Sequence, residues 1–159
     1  MKPFWTGWYS HKFKGPGLRY EVGVAIQSDN IVWINGPYPP GRYPDIKIFR
    51  DGLKQLLMAE GERCEADDGY RGEPLTVELP GEGCFYGGAA QNQLKKRVRS
   101  RHETVNGRFK CFQCLNQKFR HKLSHHRFCF NSIVVLTQLG FDHGNDHLMQ
   151  IENYATETL

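Results

Sequence analysis

LRYEVGVAIQSDNIVWI, residues 18–34, decides the fold. Its first ten residues alternate, with Tyr20, Val22, Val24 and Ile26 on one face and Arg19, Glu21, Gly23 and Ala25 on the other. Alternation of period two is the signature of a strand with one buried face. Ser28-Asp29-Asn30 is turn chemistry, and Ile31-Val32-Trp33-Ile34 is a second strand, so the segment reads as a hairpin. Working outward, GPYPPGRYP (36–44) is too rich in Pro and Gly for regular structure. Asp45 is then placed to cap a helix in which Ile46, Phe49, Leu53, Leu56 and Leu57 recur at helical spacing. A short strand reaches Ala66 before an Asp-Asp-Gly-Tyr turn, and PLTVEL (74–79) is a further strand. Beyond the Gly-rich stretch 80–90 the periodicity changes. From about Asn92, the residues Leu94, Val98, Val105, Phe109, Phe112, Leu115 and Phe119 step by 3, 4 or 7, as the buried face of one long helical region would. A last helix, roughly Arg127 to Leu139, is apolar enough to be mostly buried. The expected class is α/β with a helical C-terminal half.

A chain of 159 residues is expected to form a single domain over 1–159, burying roughly 70% of the surface its unfolded chain exposes. No apolar run approaches the ~20 residues that span a bilayer, and MKPFWTGWYSHKF has no signal-peptide core. The expectation is a soluble, intracellular protein without a membrane partner, nuclear if eukaryotic. Five cysteines, an odd number without a secretory signal, are expected to be reduced.

Charge is unevenly placed. Residues 1–93 carry 10 basic and 12 acidic groups, residues 94–127 carry 11 basic groups and the single acid Glu103, and residues 128–159 have four acids and no Lys or Arg. A block of that density repels itself unless it is solvated or faces a polyanion. Solvation of a helix face is the plain reading; contact with nucleic acid is the functional one, with Lys95, Lys96, Arg97, Arg99, Arg101, Arg108 and Lys110 as the candidate phosphate contacts. Aromatics among the N-terminal lysines (Phe4, Trp5, Trp8, Tyr9, Phe13) either stack on bases or cover the end of a sheet.

Two carboxylates stand out. Asp67 lies where a strand ends and a Gly turn begins, held firmly yet in reach of solvent, and Glu103 is isolated among cations. Hard divalent cations take carboxylate oxygen and keep several waters, so a few acids from separate elements suffice for Mg²⁺ or Mn²⁺. Such ions can activate a water and stabilise the leaving oxygen of a phosphodiester. Asp68 competes with Asp67 for the role, since neighbours on a strand point to opposite sides. A different metal is suggested by Cys111-Phe-Gln-Cys114 followed by His121 and His125, a zinc-like ligand set. In one continuous helix, however, His121 stands too far from the cysteines for one tetrahedron.

Four stretches, in order, carry a resemblance: WYSHKFKGPGLRYEVGVAIQ (8–27), NGPYPPGRYPDIKIF (35–49), EADDGYRG (65–72) and RSRHETVNGRFKCF (99–112). They are similar to the Tyr-Ser-x-Lys strand entry, the Gly-x-x-Pro-Gly…Asp…Phe loop and helix, the Asp-x-Gly-Tyr-x-Gly turn, and the Arg-x-x-Glu…Gly-x-x-Lys helix of the DDE superfamily endonucleases, the transposase-like nucleases of the Harbinger type. The resemblance implies an RNase H-like mixed sheet, a DNA partner, and phosphodiester hydrolysis with Mg²⁺ or Mn²⁺. It makes Asp67 the second catalytic aspartate and Glu103 the terminal glutamate, both metal ligands, and reads Asp45 as a capping residue. In the family the first aspartate lies on a first strand upstream of Tyr-Ser-x-Lys, and Met1 to Tyr9 contains no acid. The implied domain is therefore incomplete at the N-terminus: it lacks its first strand and one ligand. The alternatives are a catalytically dead DNA-binding or protein-interaction module and a small zinc-stapled adaptor.

Overall fold

A computed structural model describes residues 7–12, 14–79, 88–144 and 147–151. Phe4, Trp5 and Phe13 of the aromatic set and most of the Gly-rich stretch lie outside them. The class is mixed α/β, as the periodicities require. The chain divides into two compact units: the described residues of Met1–Val22 with Trp33–Gly83, and those of Gly23–Val32 with Cys84–Leu159.

The first unit opens with a short antiparallel ladder between β1 (Tyr9–Ser10) and β2 (Gly15–Pro16). The expected hairpin follows as β3 (Arg19–Val24) and β4 (Ile31–Tyr38), whose tip belongs to the second unit. β4 runs on through Gly36 and Pro37, where irregular chain was expected. An edge of a two-stranded sheet accepts a proline because no second neighbour needs its missing N–H.

Helices α1 (Asp45–Asp51) and α2 (Leu53–Glu60) replace the single expected helix. Gly52, at φ −139° and ψ −92°, interrupts the helix and resets its phase. Ile48 and Phe49 are therefore buried while Leu56, expected inside, is half exposed. Pro44 occupies the capping position, so Asp45 is the first helical residue and not the cap. Beyond α2, β5 (Cys64–Glu65) pairs in parallel with β6 (Val77–Glu78), a shorter strand than PLTVEL suggested. Phe49, Leu57, Val77 and Leu79 form the buried cluster, with Tyr70 and Cys64 packed against it.

The second unit is helical: α3 (Gly88–Cys111), α4 (Gln113–Asn116) and α5 (Leu123–His143). The long periodic run breaks at Phe112, whose backbone is extended (φ −83°, ψ 116°), so the apolar steps to Leu115 and Phe119 do not continue one helix. Val105 and Phe109 of α3 are buried, as are Phe130, Ile133, Val134 and Phe141 of α5, and the Phe109 and Phe130 rings meet edge to face at 5.5 Å. α5 is longer than expected at both ends and is buried on one face only. No helix among the described residues is long and apolar enough to cross a membrane.

Candidate functional site

Asp67 gets its position from local chain chemistry. β5 ends at Glu65, Ala66 N–H still donates to Glu78 O at 3.1 Å, and Asp67 is extended (φ −89°, ψ 180°). Its Oδ1 accepts from Gly69 N–H at 2.9 Å, capping the 3₁₀ turn Asp68–Tyr70. Aspartate does this readily because its short side chain reaches the amide two residues on. Asp68 turns outward instead, onto Arg71 at 2.8 Å. Of the two, Asp67 is the one drawn into a cluster.

The carboxylate brought to Asp67 is Asp45. A side chain at Gly69 would start 2.9 Å from Asp67 Oδ1 and 3.4 Å from Asp45 Oδ2, so the glycine leaves room for both acids. Arg19 Nη1 lies 3.2 Å from Asp45 Oδ1 and donates to Tyr43 O, bracing the first turn of α1. Burial raises the Asp45 carboxyl above its usual range; Arg19 opposes this and the charge of Asp67 adds to it. Glu21, reaching in from β3, is 5% exposed and takes Trp33 Nε1–H on Oε2 at 2.8 Å. Burial raises its carboxyl too, against the hydrogen bonds of Trp33 and Tyr70.

Two neutral neighbours complete the surroundings. The Tyr70 ring packs edge-on to Phe49 at 5.6 Å, and burial followed by Glu21, Asp45 and Asp67 pushes its hydroxyl well above the usual phenol range. Burial and Glu21 push the Cys64 thiol up to about 12, so it stays an unreactive thiol. The sequence pointed to Asp67 but missed Tyr70 beside it and Glu21 beside Tyr70, and read Asp45 as a cap. The one available signal was Gly69, a residue without a side chain between two acids.

Glu103 belongs to the second unit, Asp67 to the first. On α3, Glu103 is exposed and makes no ion pair among the described residues. Lys96, Arg99 and Lys110 fall on its face by helical spacing, and all three are exposed. Arg97 is exposed as well and donates to Gln150 O at 3.0 Å and to Met149 Sδ. Arg108 is exposed on another flank.

Two of the seven candidate phosphate contacts face inward. Lys95 is buried. Arg101 is 2% exposed, and its guanidinium donates to the carbonyls of Ala25, Ser28 and Met149 and pairs with Asp29 at 3.6 Å. Asp29 in turn meets His147 Nδ1 at 3.2 Å. Five donors in a rigid fork suit a guanidinium to gathering carbonyls. Arg101 is thus a structural tie between α3, the hairpin tip and residues 147–151, and its phosphate role is withdrawn.

The zinc reading also falls. Cys111 and Cys114 are exposed free thiols on either side of the Phe112 break, and no group of three or more His, Cys, Asp or Glu among the described residues is arranged to hold a metal.

The family of DDE superfamily endonucleases matches residues 4–139. Neither the curated proteins nor the solved structures include a significant match. The family match takes in both the Asp67 turn and the Glu103 helix, and the chain belongs to the DDE superfamily endonucleases.

Proposed function

We propose that the chain is the nuclease domain of a transposase-derived, RNase H-like protein that cleaves DNA phosphodiesters, with Asp67 and Glu103 as ligands for Mg²⁺ or Mn²⁺. The observation that carries this reading is the outer face of α3, where one carboxylate, Glu103, stands among the exposed cations Lys96, Arg99 and Lys110. A surface that only bound phosphate would gain nothing from that acid. The donor chemistry suits a hard cation: Asp67 offers an exposed carboxylate on a hydrogen-bonded turn, with the Arg19-paired carboxylate of Asp45 close by and no third ligand grouped with them among the described residues. Oxygen donors of this kind suit an ion that retains most of its water.

A bound divalent ion supplies an acidic water and charge neutralisation at the phosphoryl oxygens. The chain's own part is positional. Gly69 N–H fixes the Asp67 carboxylate, Arg19 holds Asp45 in place, and the α3 cations grip the backbone phosphates beside Glu103.

A second reading is DNA binding without cleavage. It is favoured by one observation, the exposed cations Lys96, Arg99 and Lys110 on one face of α3, which can grip phosphate with or without a metal. Titration calorimetry with Mg²⁺ and Mn²⁺ on the chain and on the Asp67→Ala, Glu103→Ala double variant separates the two. Binding heat lost in the variant, with plasmid nicking lost alongside it, supports the nuclease. Equal and negligible heats for both proteins, with DNA binding retained, support the second reading.

A further inference from the structure

Gly107 lies inside α3, which runs on to Cys111. Glycine weakens a helix interior relative to alanine, because it loses more backbone freedom on folding and leaves the backbone open to water. Three needs within a chain commonly call for it, and none is met at this position. The backbone of Gly107 does not take a positive φ. The residue does not end the helix, since another turn follows it. Nor does another element press on it: an added Cβ would have nothing within 4 Å among the described residues. Gly52 and Gly69 differ, because each meets neighbouring side chains inside that distance. Gly107 is thus a bare spot on an exposed surface, and a body that uses the space comes from outside the chain.

Its place on α3 selects that body. At about 100° per residue, Gly107 projects about 40° from Glu103, 60° from Lys110 and 20° from Lys96. All four residues are exposed. Glu103 stands one turn away, about 6 Å along the axis. Side chains on a helix lean toward its N-terminus, so a side chain at 107 would cover the turn between Gly107 and Glu103. A polyanionic strand drawn to the cations of this face can therefore reach the helix itself at this point. Its attraction to those cations falls with separation and with the water admitted between them, so a side chain that holds the strand off weakens the contact.

We infer that Gly107 is the point of closest approach between α3 and the sugar-phosphate backbone of bound DNA, and that it sets how near a phosphate comes to Glu103. Gly107 acts as a positioning residue, through the approach it permits. The inference rests on the reading of α3 as the DNA face, and not on cleavage or metal binding.

The test pairs thermal unfolding of the full chain with fluorescence anisotropy on a labelled DNA duplex in the absence of divalent metal. Gly107→Ala should raise the unfolding temperature by about 2–4 °C and yet weaken DNA binding by about threefold or more. Gly107→Leu, also a good helix former, should weaken binding by about tenfold or more. Gly140→Ala is the control. Gly140 lies in α5 with nothing within 4 Å of an added Cβ, and residues 128–159 hold no Lys or Arg. That variant should gain stability and bind DNA as the wild type does. Opposite signs in the two readouts separate a ligand's requirement from a structural one. A Gly107→Ala variant that melts lower would show that the glycine serves the fold, and would overturn the inference. Wild-type affinity in both Gly107 variants would overturn it while leaving the DNA face standing, and so would an equal loss in Gly140→Ala. A wild type that does not bind the duplex would remove the DNA face and the inference together.

Discussion

Glu21 is buried against Trp33 and Tyr70, with the charge of Asp45 close by. Oε2 is bound by Trp33, while Oε1 is buried without a well-aligned donor, although the Tyr70 hydroxyl is near enough to favour the ionised form. Burial dominates and raises the carboxyl above its ordinary 4.5. The folded state therefore binds a proton more tightly than the unfolded chain does. The resulting stability is fully present below pH 4.5 and is lost as the pH climbs through the raised folded value. Glu73 titrates with the opposite sign, because Lys54 at 2.6 Å and Arg50 at 2.5 Å lower its carboxyl and stabilise the fold above the ordinary range. A variant comparison removes that background. Glu21→Gln keeps an acceptor for Trp33 and discards the buried charge, so it should be more stable than the wild type in urea at pH 7. Its advantage should shrink toward pH 4.5. A Gln variant that is less stable at both pH values would mean that the charge is needed there. None of this was legible from the strand alone. Alternation assigned Glu21 to the face opposite Tyr20 and Val22, and what encloses it are a tryptophan from β4 and a tyrosine from the turn after β5.

The elements show where periodicity informs and where it fails. The hairpin, the α1–α2 region, the strand before Asp67 and the C-terminal helices all follow from spacing, because each presents one face to a core. The breaks do not. Gly52 splits the second element because the chain there passes against β4: an added Cβ would lie 2.8 Å from Asn35 Nδ2 and 3.2 Å from the Trp33 ring. Asn35 accepts from the Tyr38 hydroxyl and Trp33 is fastened to Glu21, so neither yields freely. Gly52→Ala should therefore destabilise the first unit by about 1–2 kcal/mol despite alanine's better helix propensity. Thermal or urea unfolding checks this, and a neutral or stabilising result would show that the two side chains move aside. Phe112 makes the same point in the second unit. Its apolar side chain fits the helical stripe, yet its extended backbone ends α3. On α5 the error runs the other way, since an apolar sequence implied a mostly buried helix and only one arc of it is buried. Composition reports how apolar a helix is, and not how many partners it has within one chain.

For the whole molecule, the sequence's most informative property was the packing of 11 basic groups and one acid into residues 94–127. What it could not reveal is direction. Lys95 and Arg101 belong to the same run as Lys96 and Arg99, yet they point inward, because the helix rotates 100° per residue and α3 has a buried arc to satisfy. Arg101 spends Nη1 and Nη2 on three carbonyls and Asp29, and its side chain is buried, so it is not presented to a phosphate. The proposed DNA contact must then be carried by the exposed set, and counterion release makes that a quantitative claim. Each phosphate contact contributes about 0.9 to the slope of log affinity against log salt on duplex DNA. Lys96→Gln, Arg99→Gln and Lys110→Gln together should lower the magnitude of the slope by about 2–3, measured by fluorescence anisotropy over a salt series. The loss should be similar for unrelated sequences, because phosphate contacts do not read bases. Arg101→Gln should behave differently, lowering the unfolding temperature while leaving the slope of the remaining folded protein unchanged. If the triple variant keeps the wild-type slope, α3 is not the DNA-binding face, and the isolation of Glu103 among cations loses its meaning as a mark of a nuclease site.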